Sequence, residues 1–263
     1  MPPYHKCDHD FTLEPERLLE HTFIHIPGIG PKTEKRIWES GIYTWQDFLK
    51  ADRVIINPSK DRMIRYELER SLRHRDEIRF FQNRLSSDQM WRLFQDFRDR
   101  AVYLDIETSG GFQGVDEITV IGLYDGDSVF TFVNGRNLEE FEIAIASYEL
   151  VITFNGSTFD LPFIRRGFPH IHLPPAHIDL RFVLNRLGYK GGLKAIEKSM
   201  GISRESDIEG LNGFDAVLLW KAHQWGDREA LKELIRYNTA DIVNLEPLME
   251  MAYERMKAWL LKG

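Results

Sequence analysis

The chain has 263 residues, 43% hydrophobic and 12% aromatic, which is ample for a packed core in one or two domains. No apolar run of about 18 residues is present to span a membrane, and the first residues lack the apolar stretch of a signal peptide. The single cysteine, Cys7, excludes an internal disulfide framework, so a cytoplasmic protein is expected. The net charge of −7 is uneven: residues 1–100 carry 18 Lys+Arg against 17 Asp+Glu, and residues 101–263 carry 16 against 24. An acidic half repels phosphates unless metal cations neutralise part of it, so the location of the acids becomes the question.

In chain order, residues 1–84 read as a helical module. His5, Cys7 and His9 alternate in what reads as a terminal tail rather than a metal site. The run Phe23-Ile24-His25-Ile26-Pro27-Gly28-Ile29-Gly30-Pro31-Lys32-Thr33-Glu34 precedes Ile37, Trp38, Gly41-Ile42 and Thr44-Trp45. Over about residues 22–50 this resembles a helix-hairpin-helix motif. The glycines allow positive φ and close backbone approach, so the resemblance implies that Gly28, Gly30 and Lys32 contact a phosphate without reading bases. Hairpins of this kind also serve as packing elements. Spacing then predicts one long helix over 59–85, with Met63, Tyr66, Leu68 and Leu72 on its apolar side and arginines elsewhere. Ser87-Asp88 reads as the next helix start.

From residue 85 to 263 the expectation is a second, α/β domain. The segment 101–107 is rich in strand formers, and 118–124 and 128–133 flank Asp125-Gly126-Asp127, a hairpin turn. A helix over 138–147, a strand over 150–154 and a strand near Ile178 follow. Further helices are predicted to start near Phe159, Gly192-Leu193-Lys194, Phe214 and Asp227. Alternating elements of this order argue for a mixed sheet flanked by helices.

Three short segments carry the chemistry. Asp105 and Glu107 are two apart on a strand and project from one face, where two acids repel each other unless a divalent cation sits between them. A strand end hanging into solvent would explain the pair equally well. Asn155-Gly156-Ser157-Thr158-Phe159-Asp160-Leu161-Pro162-Phe163 forms a strand-to-helix turn in which Asp160 also suits a helix cap. Tyr237 and Asp241 lie one turn apart on a helix face.

Together and in this order, the three segments resemble the exonuclease motifs of the DEDD superfamily, which has the RNase H-like fold. The pattern Asn155-x-x-x-Phe159-Asp160 followed by Pro162-Phe163-Ile164, and then Tyr237-x-x-x-Asp241, is similar to the exonuclease domains of family B DNA polymerases. Overall likeness is greatest to bacterial RNase H-like exonucleases of the YprB type, over residues 101–249. Arg236 occupies the position that holds histidine in one subclass, so the tyrosine subclass is the better match.

The resemblance implies a metal-dependent 3′→5′ exonuclease that uses two Mg²⁺ or Mn²⁺ ions, whose preference for oxygen ligands suits carboxylates. It also implies the roles. Asp105, Glu107 and Asp241 would hold one ion, with Asp105 bridging to the second and Asp160 reaching that one through water. Tyr237 would orient the attacking water, and Thr108 and Asn155 would contact the terminal nucleotide. DNA is expected ahead of RNA as the nucleic-acid partner, with no membrane partner.

The alternatives are an RNA-directed exonuclease and a non-catalytic nucleic-acid-binding or scaffold protein that keeps the fold. Asp179 is a possible accessory acid, for which a structural role is favoured. His170, His172 and His177 lie on a proline-broken loop without cysteine and read as structural rather than zinc-binding.

Overall fold

The computed structural model describes residues 17–111, 116–206 and 208–262. The alternating His5, Cys7 and His9 lie outside them. A 3-10 turn at Leu18–His21 leads through the Gly28-Ile29-Gly30 corner, with Gly28 at φ +77°, into α1 (Pro31–Glu39). After it comes α2 (Trp45–Lys50), which starts on a reciprocal cap between Thr44 and Asp47. Buried Glu34 of α1 accepts from the backbone amides of Phe23 and Ile24, at 2.7 and 3.2 Å. It also pairs with Arg92, two nitrogens meeting two oxygens at 2.9 Å each. That fork bolts the corner to a segment far along the chain.

The single helix predicted over 59–85 is two helices, α3 (Pro58–Arg73) and α4 (Ile78–Gln82). The reason is burial. A straight helix that kept Ile64, Leu68 and Ser71 inward would place Phe80 roughly opposite Ile64 and turn Phe81 to one side, away from the inward face. Breaking at His74, whose ring stacks on Phe80 at 4.9 Å, turns Ile78, Phe80 and Phe81 into the core. The helix predicted from Ser87-Asp88 is a 3-10 segment, Ser87–Leu93, followed by α5 (Phe94–Phe97) and a 3-10 turn at Arg98–Arg100.

Five strands follow: β1 (Ala101–Thr108), β2 (Ile118–Tyr124), β3 (Val129–Val133), β4 (Leu150–Thr153) and β5 (Ala176–Asp179). They form one sheet in the order β3-β2-β1-β4-β5. β1 to β3 are antiparallel neighbours, whereas β4 and β5 run parallel to β1. Asp125 closes the β2–β3 hairpin by accepting from the amides of Asp127 and Ser128, and Gly126 takes φ +101°. The interleaved helices are α6 (Phe141–Ile145), α7 (Asp160–Gly167), α8 (Leu180–Arg186), α9 (Leu193–Ser199), α10 (Gly213–Gln224) and α11 (Arg228–Lys262). The sequence reading did not anticipate α8. It is short, and its start is set by Asp179, which accepts from the Arg181 amide.

The sheet separates two cores. On one face Val102, Leu104, Ile106, Ile121 and Val151 pack with Phe141, Ile145 and Ile164. On the other, Ala101, Tyr103, Leu150, Ile152 and Ile178 share one buried cluster with α11 (Leu245, Leu248, Tyr253) and with Phe23, Trp45, Phe48 and Phe81 of the helical module. Among the described residues no helix is long and apolar enough to cross a membrane.

Candidate active site

Side chains alternate along β1, so Asp105 and Glu107 continue the face begun by Ala101 and Tyr103 and look toward α11, which crosses that face. α11 presents Tyr237, Asn238 and Asp241 within about one turn. Carboxylate oxygens of Asp105, Glu107 and Asp241 all lie within 4.8 Å of one another. Asp160 opens α7 and reaches the same strand: its Oδ1 accepts from the Ile106 amide at 3.1 Å. That amide lies beyond the last β1–β4 pair, Tyr103 with Ile152.

Each acid is held away from its ordinary ionisation. Lost solvation, and then the charge of Asp241, keep Asp105 and Glu107 well above the usual carboxylate range. Asp160 is pushed up to about 7, chiefly by burial, although the amides of Asp160 and Ile106 oppose the shift. Burial also raises Asp241, against the neighbouring charge of Arg204. The Tyr237 hydroxyl is raised by burial and then by Asp241, Glu107 and Asp105. An all-oxygen donor set whose members suppress one another's charge fits Mg²⁺ or Mn²⁺ in ligand chemistry.

The surroundings hold these acids in place. The Asn238 amide donates to Asp105 Oδ2 at 2.9 Å and to the Asp105 carbonyl at 3.3 Å. Gly122 lies opposite Asp105 in the β1–β2 register, and a Cβ there would sit 2.2 Å from Asn238 Oδ1. The turn at residues 155–160 is pinned from β5. Asp179 accepts from the amides of Asn155 (2.8 Å), Ser157 (3.1 Å) and Arg181 (3.1 Å), and from the Ser157 hydroxyl. Asn155 takes φ +70°, and its Oδ1 accepts from Thr158 Oγ1 and from Arg181. Gly156 has no room for a side chain, since a Cβ would lie 2.2 Å from Thr153 Oγ1. Asp179 therefore sits as a brace under this turn. His177 meets Thr153 Oγ1 at 2.9 Å.

Sequence reasoning missed the basic side of the site. α9 and the segment after it bring Lys194, Glu197 and Arg204 against α11. Arg204 engages Glu197 through two contacts of 2.7 Å and lies 2.5 Å from Asp241 Oδ1. Lys194 Nζ sits 4.4 Å from the centre of the Tyr237 ring. No spacing rule links residues 194, 197 and 204 to residue 241. Gly122 was detectable, because a glycine inside an apolar strand marks close approach of another group.

The structure thus gathers Asp105, Glu107 and Asp241, with Tyr237 and Asp160 beside them. Thr108 ends β1 and donates to Asp116 at 3.3 Å. Arg236 points elsewhere and pairs with Glu205. Gly28, Gly30 and Lys32 belong to the helical module: Gly30 caps α1 and Lys32 lies exposed in its first turn.

A family model described as the RNase_H superfamily matches residues 102–253, more than half of the chain and the span that contains every acid of this cluster. The chain belongs to the RNase_H superfamily. Within that superfamily the mixed five-stranded sheet is accounted for, with β1 central and the acids at its carboxyl end. No curated protein matches the chain.

Among solved structures it is similar to the family B DNA polymerase of the archaeon Pyrobaculum calidifontis, at 15% identity and TM-score 0.47 over 61% of this chain and 25% of the polymerase. It is similar to Escherichia coli RNase D, an exoribonuclease involved in structured RNA processing, at 18% identity and TM-score 0.44 over 66% of this chain and 46% of that one. A third is Brucella melitensis NrnC, at 18% identity and TM-score 0.43 over 62% and 77%. The chain thus spans a quarter of the polymerase and under half of RNase D.

Proposed function

We propose that this RNase_H superfamily member is a divalent-metal-dependent nuclease, specifically a 3′→5′ exonuclease acting on DNA. The observation that carries the reading is the approach of Asp105, Glu107 and Asp241 within 4.8 Å, with Asp160 tied to the strand that bears two of them. Asp105, Glu107 and Asp241 would hold one Mg²⁺ or Mn²⁺. Asp105 and Asp160 would hold a second. Bound ions supply Lewis-acid polarisation of the phosphate and lower the pKa of water. Tyr237 orients the attacking water, and Thr108 and Asn155 position the terminal nucleotide.

The helical module of residues 1–84 extends the grip on the strand. Gly28, Gly30 and Lys32 face backbone phosphates there, contacts that position a substrate without selecting its sequence.

The test uses single-stranded DNA and RNA labelled at either end, with Mg²⁺ or Mn²⁺. Expected is metal-dependent shortening from the 3′ end, faster on DNA, and abolished by Asp105→Ala. Cleavage without metal, or cleavage undiminished in that variant, would overturn the assignment.

A further inference from the structure

Arg204 is unusual in its setting. Its side chain is 3% exposed and lies 2.5 Å from Asp241, a carboxylate the metal reading needs. A cation that close to a ligating carboxylate opposes a divalent ion by direct repulsion. Yet Arg204 is not a loose neighbour. Its Nε and Nη2 meet the two oxygens of Glu197 at 2.7 Å each, and Glu197 is itself 2% exposed. Asn244, one turn beyond Asp241 on α11, donates to Glu197 Oε1 at 3.0 Å and holds that carboxylate toward the same helix face. A second cation, Lys194, lies over the Tyr237 ring and has no acid fork of its own among the described residues.

Burying two ions is costly, and fork geometry offsets only part of that cost. Here the pair adds no net charge beside the acids, while its cationic end engages one oxygen of Asp241. We propose that Glu197 and Arg204 form a charge-balancing pair that sets the divalent-cation affinity of the carboxylate site. The proposal rests on the metal-site reading above. Glu197 withdraws the guanidinium charge that would otherwise compete with the ion.

The pair makes an opposite-sign test possible. Glu197→Gln leaves Arg204 uncompensated and makes the site one charge more positive. Arg204→Met leaves Glu197 uncompensated and makes it one charge more negative. Mn²⁺ binding to the full chain, without nucleic acid, is measured by titration calorimetry at low ionic strength, alongside melting of the metal-free proteins.

Expected are weakening of at least about fivefold in Glu197→Gln and tightening by a similar factor in Arg204→Met. The double variant should fall within about twofold of the parent, and so should Arg204→Lys. Equal weakening in both single variants, or no change in either, would overturn the charge-balancing role and leave the metal site standing. Absence of Mn²⁺ binding by the parent chain would overturn the metal reading itself. If Arg204→Met does not fold, Glu197→Gln decides alone: weakened binding supports the pair and unchanged binding rejects it.

Discussion

Asn238 donates to the Asp105 carboxylate at 2.9 Å across a gap kept open by a glycine on the neighbouring strand. This bond ties the first acid on β1 to the helix that carries the third, so strand and helix cannot shift independently without disturbing the cluster.

Gly122→Ala tests that tie. Its Cβ would lie 2.2 Å from Asn238 Oδ1 and 3.0 Å from Ile242 Cδ1. Overpacking of this kind costs about 1–3 kcal/mol. We expect a loss of that size in urea unfolding, together with weaker Mn²⁺ binding as Asn238 leaves Asp105. A variant as stable as the parent with unchanged binding would show that the close approach has no consequence.

Asp105→Asn removes one charge from a mutually repelling group while keeping the shape and an oxygen for Asn238. The metal-free variant is expected to be more stable than the parent, since burial and neighbouring carboxylates disfavour the charged form. Cleavage should fall at least about 100-fold. Melting curves and product ladders on the same preparations check both halves, and a destabilised variant would contradict the repulsion argument.

The cluster also sets a pH dependence. Asp160 ionises near 7 in the folded protein against an ordinary value of 3.8, and Asp105, Glu107 and Asp241 are shifted the same way. The folded state therefore holds more protons than the unfolded chain between about pH 4 and pH 7, and the contribution of these acids to stability falls as pH rises through that window. We expect the melting temperature of the metal-free protein to decline across it, and that of Asp160→Asn to decline less. Mn²⁺ should bind more tightly as pH rises and release protons on binding, which is read from the buffer dependence of calorimetric heats.

The Glu34–Arg92 fork predicts a different kind of effect. Arg92→Met leaves Glu34 buried with its charge uncompensated, and breaking such a pair costs about 3–5 kcal/mol. Urea unfolding should show that loss, whereas substitution of the exposed Lys232–Glu229 pair should change little. Equal effects would mean that the fork does not hold the helical module.

Much of this molecule is legible in residue order. Two-residue spacing put Asp105 and Glu107 on one strand face, four-residue spacing put Tyr237 and Asp241 on one helix face, and strand formers around Asp125-Gly126-Asp127 foretold the β2–β3 hairpin. These features depend on local periodicity, which the backbone imposes wherever the element forms. The break at His74 was not legible, because helical spacing continues through it and only the burial of Phe80 and Phe81 decides against a straight helix.

The acids with which the chain declares itself were nameable from sequence, and their separation was not. Approach within 4.8 Å depends on β1 lying centrally, on α11 crossing its face and on Gly122 leaving space for Asn238. The partners of Asp241 were likewise set by packing. Glu197 and Arg204 lie 44 and 37 positions before it and reach it only because α9 packs against α11. Local spacing determines which side chains share a face, while long-range packing determines which faces meet and what charge each acid finds there.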